Sequence, residues 1–242
     1  MRRDIALEVL SSPETLAARV ADWLLNLANG TNGRFAIALA GGSTPRATYR
    51  LLATPHYRDR FPWARTHWFW GDERFVAQDD PRSNYRMVAD AMLTHVDIPA
   101  GRIHPVPTIG MSSQDAALAY ERMLKAFYGS EMLDPARPLF DVNLLGLGED
   151  GHFASLFPGS DALDEREHWT AAVSGQQTEA RITLTYPVLE SCRYAAFLVS
   201  GAAKSAMLRG LLSGEGDFPA NRFHPKGELR VFADCAAAGE GA

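Results

Sequence analysis

Cysteine is scarce in this sequence, and the residue types that bind metals are scattered along it. The 242 residues include seven histidines and only two cysteines, Cys192 and Cys235. No Cys-x-x-Cys pair and no Cys/His cluster occurs, and two distant thiols do not make a disulfide framework. We therefore expect both thiols to be reduced bystanders, and we expect the protein to need no metal or other cofactor.

Long hydrophobic runs and an excess of positive charge are also missing. No apolar stretch approaches the length of a membrane-spanning helix, and Glu8 followed by Ser11, Ser12 and Pro13 interrupts the region where a signal peptide would be apolar. The formal net charge of −5 argues against a broad nucleic-acid-binding face. The composition predicts a cytoplasmic protein without membrane or nucleic-acid partners. An anionic ligand would need locally concentrated Arg and Lys.

The pattern of elements predicts an α/β fold. The chain has 46% hydrophobic residues and no repeats or low-complexity linkers, so we expect one domain over residues 1–242, with a disordered tail at 236–242. A helix starts at Ser12 and Pro13 and stops at Gly30, and a strand begins at Phe35. Alternation of this kind predicts a three-layer, mostly parallel, Rossmann-like sheet with helices on both faces. Further strands are expected at 103–106, 140–145, 171–173, 181–184, 194–199 and 229–233, and further helices at 83–93, 113–127 and 202–212.

The most informative stretch is 146–158, which follows the apolar run 140–145. The pattern predicts a strand ending in a glycine-broken loop, where Asp150 and His152 stand two residues apart. Histidine is the side chain whose ordinary pKa suits proton transfer near neutral pH. Two interpretations stay open at this point. The two residues form a general-base site, or they only cap a helix starting near Phe153 or pair with each other in a turn.

A second strand, 35–40, enters Gly41, Gly42, Ser43, Thr44 and Pro45. The proline suits the first position of a helix that continues to residue 52. Exposed amides at that helix start, with two hydroxyls beside them, favour binding of a single phosphate. The segment fits neither a Walker P-loop nor the dinucleotide fingerprint. The alternative is an ordinary turn in which Ser43 or Thr44 is the N-cap.

A third apolar strand, 66–70, ends in Gly71, Asp72, Glu73 and Arg74. Three charged residues at a strand end need either solvent or a ligand, and the alternative is a solvated loop with an Asp–Arg pair of little energetic value. In an open α/β sheet, ligands bind at the carboxyl ends of the strands. The three strand ends therefore predict one shared crevice, in which Trp68, Phe69, Trp70 and Phe197 are core residues without a chemical role.

Together these segments resemble the 6-phosphogluconolactonase family, within the broader group that includes glucosamine-6-phosphate deaminase. The resemblance rests on motifs in the family's order at 41–45, 71–74, 83–84, 148–158, 181–185, 200–201 and 204. It implies hydrolysis of 6-phospho-D-glucono-1,5-lactone to 6-phospho-D-gluconate in the oxidative pentose phosphate pathway. The implied partner is thus a phosphorylated sugar lactone, and the resemblance leaves open a monomer or a small homo-oligomer.

The resemblance also implies a role for each matching residue. The implied catalytic group is His152 as general base on water, with Asp150, Asp72 and Arg74 around the reacting centre. The implied phosphate-binding group is Gly41, Gly42, Ser43, Thr44, Arg181 and Lys204. Charge-assisted bonds from Arg181 and Lys204 would be stronger than neutral ones. Which of Asp72 and Asp150 supports the imidazole stays open.

Two other functions share part of this likeness. Glucosamine-6-phosphate deaminases typically carry a glutamate five residues after the histidine for ring opening, and that position is Phe157 here. A sugar-phosphate sensor in a transcriptional regulator would keep the phosphate contacts but would need a DNA-reading module, and no helix-turn-helix pattern fits this sequence. The sequence therefore favours the lactonase.

Overall fold

The structure, a computed structural model, describes residues 5–174 and 178–239, along which strands and helices alternate as predicted. The strands are β1 (Ile5–Leu10), β2 (Phe35–Leu39), β3 (Thr66–Trp70), β4 (Asp72–Arg74), β5 (Ile103–His104), β6 (Phe140–Gly146), β7 (Thr170–Val173), β8 (Arg181–Leu184), β9 (Cys192–Val199) and β10 (Glu228–Asp234). The α-helices are α1 (Pro13–Gly30), α2 (Ser43–Leu52), α3 (Pro55–Arg58), α4 (Asn84–Ala91), α5 (Ser113–Tyr128), α6 (Tyr186–Glu190), α7 (Ser205–Ser213) and α8 (Cys235–Ala238). Strand β1 was not expected from the sequence.

Helix α1 shows why the local sequence signals were informative. Ser12 is its N-cap and accepts a hydrogen bond from the Thr15 amide at 3.2 Å, while the Thr15 hydroxyl accepts one from the Ser12 amide at 2.9 Å. This reciprocal pair is a capping box, and Pro13 occupies the first helical position, where its missing N–H costs nothing. Leu16, Val20 and Leu24 recur at helical spacing and are fully buried, so packing fixes the helix on the sheet.

Seven strands form one parallel sheet in the order β1-β10-β9-β6-β2-β3-β5. From β2 the chain extends the sheet through β3 and β5 on one side, and from β6 it extends the sheet through β9 and β10 on the other. The order therefore reverses between β2 and β6. In a parallel sheet such a reversal opens a crevice at the carboxyl ends of the strands, where ligands bind. The mostly parallel α/β fold expected from the sequence is confirmed.

The interior of this sheet is buried on both faces. Trp68, Phe69, Trp70 and Phe197 have no exposed surface, as expected for core residues. Burial of each such ring contributes roughly 1.5 to 3 kcal/mol to folding. The strands that lead to the crevice are thus rigid supports for the loops that follow them.

Strands β4, β8 and β7 form a separate three-stranded antiparallel sheet. The sequence analysis had placed 171–173 and 181–184 in the alternating α/β series. The connection from β7 to β8 is too short for the helical crossover that parallel pairing requires, so these strands pair antiparallel. In the register of this sheet Arg74 lies directly opposite Arg181. Like charges in that arrangement are unfavourable unless an anion or a carboxylate offsets them.

The end of the described chain is helical. Asp234 caps α8 by accepting a hydrogen bond from the Ala237 amide at 2.7 Å, and Ala237 is fully buried. The expectation of a disordered tail from residue 236 is therefore corrected for 236–238, because a capped, buried turn begins there. Residues 240–242 of that predicted tail lie outside the described residues. The expectation of one domain over 1–242 stays a prediction.

Both cysteines carry unpaired thiols. Cys192 begins β9 and is fully buried, and burial raises the pKa of its thiol, which keeps the sulfur protonated and unreactive.

Among the described residues, no helix combines the length and the apolar character needed to cross a membrane.

Candidate active site

A cavity of about 270 Å³ opens at the carboxyl edge of the parallel sheet, where the strand order reverses. Its wall includes nine of the predicted site residues, namely Gly41, Gly42, Ser43, Thr44, Asp72, Arg74, His152, Arg181 and Lys204. The tenth, Asp150, does not line the cavity but contacts His152. The structure therefore brings together the three strand ends that the sequence analysis assigned to one crevice.

Two buried tyrosines fix the ends of the strands below the cavity. The Tyr49 hydroxyl donates to the Ala40 carbonyl at 2.9 Å and accepts from the Ala40 amide at 3.1 Å. The Tyr120 hydroxyl makes the same pair of bonds with Trp70, both at 2.9 Å. Burial raises the pKa of the Tyr49 hydroxyl, so it remains a neutral donor. No local sequence pattern indicates these long-range contacts.

The segment after β2 leaves polar groups facing the cavity. Gly42 is the N-cap of α2 with φ 102°, a conformation that favours glycine, and no side chain caps this helix. Ser43 and Thr44 are the first helical residues instead of caps. Their hydroxyls and the first amides of α2 thus remain beside the cavity at the positive end of the helix dipole, an arrangement suited to an anion.

Lys204 approaches the cavity from the loop after β9. It ends a short 3-10 turn and is the N-cap of α7, so the structure splits the single helix expected at 202–212. The Lys204 Nζ lies 3.7 Å from Glu149 Oε1, and about a quarter of the side chain is exposed. Asp234 holds the start of this loop by accepting from Ser200 Oγ at 2.6 Å and from the Gly201 amide at 3.1 Å.

Asp150 and His152 form a direct pair. Asp150 Oδ1 lies 2.5 Å from His152 Nδ1 and also accepts from the His152 amide at 3.1 Å. Burial pushes the pKa of Asp150 up, but the hydrogen bonds from the side chain and amide of His152 outweigh it and lower that pKa. An ionised Asp150 favours the tautomer in which Nδ1 carries the proton. The other ring nitrogen, Nε2, is then an acceptor.

Glycine is required around this pair for steric reasons. A Cβ at Gly148 would lie 2.1 Å from His152 Nδ1 and 2.5 Å from Asp150 Oδ1. Gly151 has φ 79°, and a Cβ there would lie 2.5 Å from the Phe218 ring. No helix begins near Phe153, because the segment continues as turns in which Ala154 has φ 48°. The helix-cap interpretation of Asp150 is thereby replaced by a tight loop that presents the pair.

Asp72 belongs to a buried group of polar side chains instead. Its Oδ2 accepts from Ser155 Oγ at 2.6 Å and lies 4.0 Å from Arg181 Nη1. Asp72 is 7% exposed, and Ser155 is fully buried. The carboxylate in contact with the imidazole is therefore Asp150, which addresses the question that the sequence analysis left open.

Arg74 and Arg181 supply hydrogen-bond donors that the protein leaves unused. The Nε of each is buried and has no hydrogen-bond partner among the described residues. Arg74 Nη1 donates to the Arg82 carbonyl at 2.6 Å, which orients that guanidinium. Burial and the charge of Arg74 lower the pKa of Arg181, while Asp72 opposes the shift. Two adjacent guanidinium groups with unused donors are suited to bind an anion.

Glu73 was not predicted to have a role, yet it organises this part of the wall. The amides of Arg74, Asn84 and Tyr85 each donate to its carboxylate at 2.7 Å, and Ser83 Oγ donates at 3.2 Å. Burial raises the pKa of Glu73 to about 7 against the effect of those amides. The carboxylate ties β4 to the first turn of α4. The sequence pattern at Ser83 predicts the start of a helix, but it does not show that the Glu73 carboxylate accepts hydrogen bonds from that helix start.

No group of three or more His, Cys, Asp or Glu side chains is arranged to hold a metal ion in the part of the chain that the structure describes. The cavity wall carries the His152 imidazole, the buried Asp72 carboxylate and the cations Arg74, Arg181 and Lys204. The expectation of a protein without a cofactor stays a prediction.

Comparison with known proteins agrees with this geometry. The family model for glucosamine-6-phosphate isomerases/6-phosphogluconolactonase matches residues 11–232. A 6-phosphogluconolactonase from Nostoc sp. is 40% identical over 240 residues, covering 96% of this chain and 97% of that protein. One from Synechocystis sp. is 42% identical over 200 residues, covering 81% and 80%. The solved 6-phosphogluconolactonase from Trypanosoma cruzi has a TM-score of 0.87 and 28% identity, covering 99% of this chain and 97% of that one. The chain belongs to the glucosamine-6-phosphate isomerase/6-phosphogluconolactonase family.

Proposed function

We propose that this protein hydrolyses 6-phospho-D-glucono-1,5-lactone to 6-phospho-D-gluconate in the oxidative pentose phosphate pathway. The observation that carries the proposal is the combination, in one cavity, of an imidazole oriented by a carboxylate and cations with unused donors. The names of the similar proteins support the same substrate.

The phosphate of the substrate binds to the segment 41–44 together with Arg181 and Lys204. The first amides of α2 and the hydroxyls of Ser43 and Thr44 bind its oxygens, and the two cations balance its charge. Glu149, which lies near Lys204, is an exposed carboxylate and therefore a weak competitor for this cation. Binding of a group remote from the lactone carbonyl fixes the orientation of the ring.

His152 acts as the general base on water. With Nδ1 bonded to Asp150, Nε2 takes a proton from a water molecule as its oxygen attacks the lactone carbonyl. When the C–O bond to the ring oxygen breaks, the imidazolium returns that proton to the departing oxygen. The products are a carboxylic acid, which ionises in water, and a hydroxyl group. A δ-lactone is an activated ester, so no nucleophilic Ser or Cys is needed.

The negative charge that develops on the carbonyl oxygen needs fixed donors. Arg74 supplies them in this proposal, because its guanidinium is oriented by the Arg82 carbonyl and its Nε has no other partner among the described residues. Asp72, held by Ser155, offsets part of the positive charge of Arg181, which lies 4.0 Å away. Preorganised donors of this type stabilise the transition state without reorganisation during the reaction.

The residue at position 157 favours the lactonase over a deaminase. Phe157 is 3% exposed, and its ring centroid lies 4.5 Å from that of the His152 imidazole. The ring-opening glutamate of the deaminases would stand at this position, where this chain has no carboxylate. Phe157 instead supports the orientation of the imidazole by packing.

The proposal includes the remaining sequence expectations. The partner is the phosphorylated lactone, the location is cytoplasmic, and the assembly is a monomer or a small homo-oligomer. Cell fractionation and light scattering of the purified protein check the last two.

The decisive assay generates the lactone in situ and follows acid release against spontaneous hydrolysis, with ammonia release from glucosamine 6-phosphate measured in parallel. We expect faster acid release and no ammonia. Ammonia release would identify a deaminase. Binding of the lactone without turnover would identify a sensor instead.

A further inference from the structure

Asn84 belongs to the cavity wall, and its buried amide oxygen, beside Gly41, has no hydrogen-bond partner among the described residues. The residue is the first of α4 and is 2% exposed, yet it lines the cavity. Its Nδ2 donates to the Asp72 carbonyl at 2.9 Å and approaches Asp72 Oδ1 at 3.5 Å. Its Oδ1 has no hydrogen-bond partner among the described residues.

The contacts of Asn84 determine which end of its amide is free. Rotating the amide by half a turn would place Oδ1 against two oxygens of Asp72, and acceptors do not bond to acceptors. The Asn84 amide N–H is held by Glu73 at 2.7 Å, so the backbone cannot carry the side chain away. The unpaired oxygen is therefore a fixed acceptor.

The missing side chain of Gly41 leaves room for this oxygen. A Cβ at position 41 would lie 2.1 Å from Asn84 Oδ1 and 2.7 Å from its Cγ. The glycine that the sequence analysis assigned to the phosphate site thus also accommodates the asparagine. An unpaired buried acceptor is costly unless a donor occupies the site in the working state. A neutral acceptor next to Asp72 suits a hydroxyl donor and disfavours an anionic oxygen.

We propose that Asn84 Oδ1 accepts a hydrogen bond from a ring hydroxyl of the lactone and so selects for a polyhydroxylated ring. This inference rests on the proposed function, because the lactone ring supplies the hydroxyl. It assigns to Asn84 a binding role distinct from the phosphate contacts and from the proton transfer at His152.

The chain offers a matched control in Asn143. This asparagine is fully buried in β6, donates from Nδ2 to the Leu189 carbonyl at 2.5 Å, and likewise has an unpaired Oδ1. It does not line the cavity. Asn143→Ala therefore measures what loss of a buried amide does to folding alone.

The experiment uses four phosphorylated lactones, the full substrate and its 2-, 3- and 4-deoxy analogues, each generated in situ with wild type, Asn84→Ala and Asn143→Ala. In wild type we expect kcat/KM to fall roughly 10- to 100-fold for one analogue, because its missing hydroxyl leaves Oδ1 unpaired. Asn84→Ala should lose a similar factor on the full substrate and little more on that analogue. Asn143→Ala should keep the wild-type pattern among the four lactones.

Two results would overturn the proposal. One is a wild-type enzyme that loses less than about twofold on every deoxy analogue, a test that needs no variant to fold. The other is an Asn84→Ala protein that loses the same factor on all four lactones, since Asn84 would then act on water or on folding. Absence of turnover of every lactone by wild type would instead contradict the proposed function itself.

Discussion

Two carboxylates belong to the candidate site, Asp72 in the cavity wall and Asp150 beside His152, and their surroundings differ. The Asp150 and His152 side chains are 50% and 32% exposed on a turn-rich loop, while those of Asp72 and Arg181 are 9% and 14% exposed among other polar groups. A group that exchanges protons with water needs access to solvent. Charges that orient a substrate are more effective when they are rigid and shielded from water. We therefore propose that the loop performs the proton transfer and that the buried group fixes charge and orientation.

Removing the His152 imidazole tests the role of the loop and should give the largest loss of kcat. We expect His152→Ala to lower kcat by roughly 10²- to 10⁴-fold while binding of the phosphorylated product is retained. Stopped assays and product titration measure the two quantities. His95→Ala, at an exposed histidine outside the cavity wall, is the control and should behave as wild type. Near-normal turnover of folded His152→Ala would remove His152 from the mechanism.

Changing the carboxylate behind the imidazole should have the next largest effect. Asp150→Asn keeps the shape but no longer holds a proton on Nδ1, so kcat should fall by roughly 10²-fold through loss of the reactive tautomer. Near-normal kcat in Asp150→Asn, together with a loss of kcat in Asp72→Asn, would reverse the assignment of the two carboxylates.

The cations of the wall should control binding more than chemistry. Arg181→Ala and Lys204→Ala are each expected to weaken binding of the phosphorylated product by roughly 10- to 100-fold, since each removes a charge-assisted contact. Calorimetric titration measures this loss. Arg209→Ala, at an exposed position of α7 away from the cavity, is the matched control. Unchanged product affinity in both cavity variants would refute the phosphate assignment.

A smaller effect concerns the pH dependence of folding stability, which His67 influences from outside the cavity wall. His67 on β3 is buried, and its Nδ1 lies 3.0 Å from His104 Nε2 on β5. Burial, Arg102 and His104 lower the pKa of His67 from 6.5 to about 4. Between these values the unfolded chain binds a proton that the folded chain resists. The free energy of unfolding should therefore fall as the pH drops from 6.5 to 4, by roughly 2 to 3 kcal/mol, with no contribution above that window.

Urea unfolding of wild type and His67→Gln at several pH values checks this effect. The difference between the two proteins isolates the histidine from carboxylates that titrate in the same range. A difference in unfolding free energy that does not change between pH 7.5 and pH 4.5 would contradict it.

Sequence predicted the parts of the site that depend on local order. The segments after β2, β3 and β6 were assigned to one crevice because parallel strands end at one edge, and the family membership expected from their motifs is confirmed. Helix α1 was located by its N-cap and by the spacing of its apolar residues, which are local signals. These features are determined within a few residues of the chain.

The parts that escaped prediction depend on contacts between distant segments. The pairing of Arg74 with Arg181 follows from the antiparallel register of β4 and β8, which no local pattern shows. The same holds for the Tyr49 and Tyr120 anchors. Asn84 was visible in a motif, but its role required the position of Gly41. Tertiary packing, and not sequence spacing, decides each of these.

The most direct test of the account compares kcat/KM for the phosphorylated lactone and plain gluconolactone in wild type, His152→Ala and Lys204→Ala. We predict that His152→Ala lowers both values by a similar factor, because it removes the chemistry common to both substrates. Lys204→Ala should lower only the value for the phosphorylated lactone, by roughly 10-fold or more. Equal losses on both lactones in Lys204→Ala would contradict the division between a reactive loop and a cationic phosphate site.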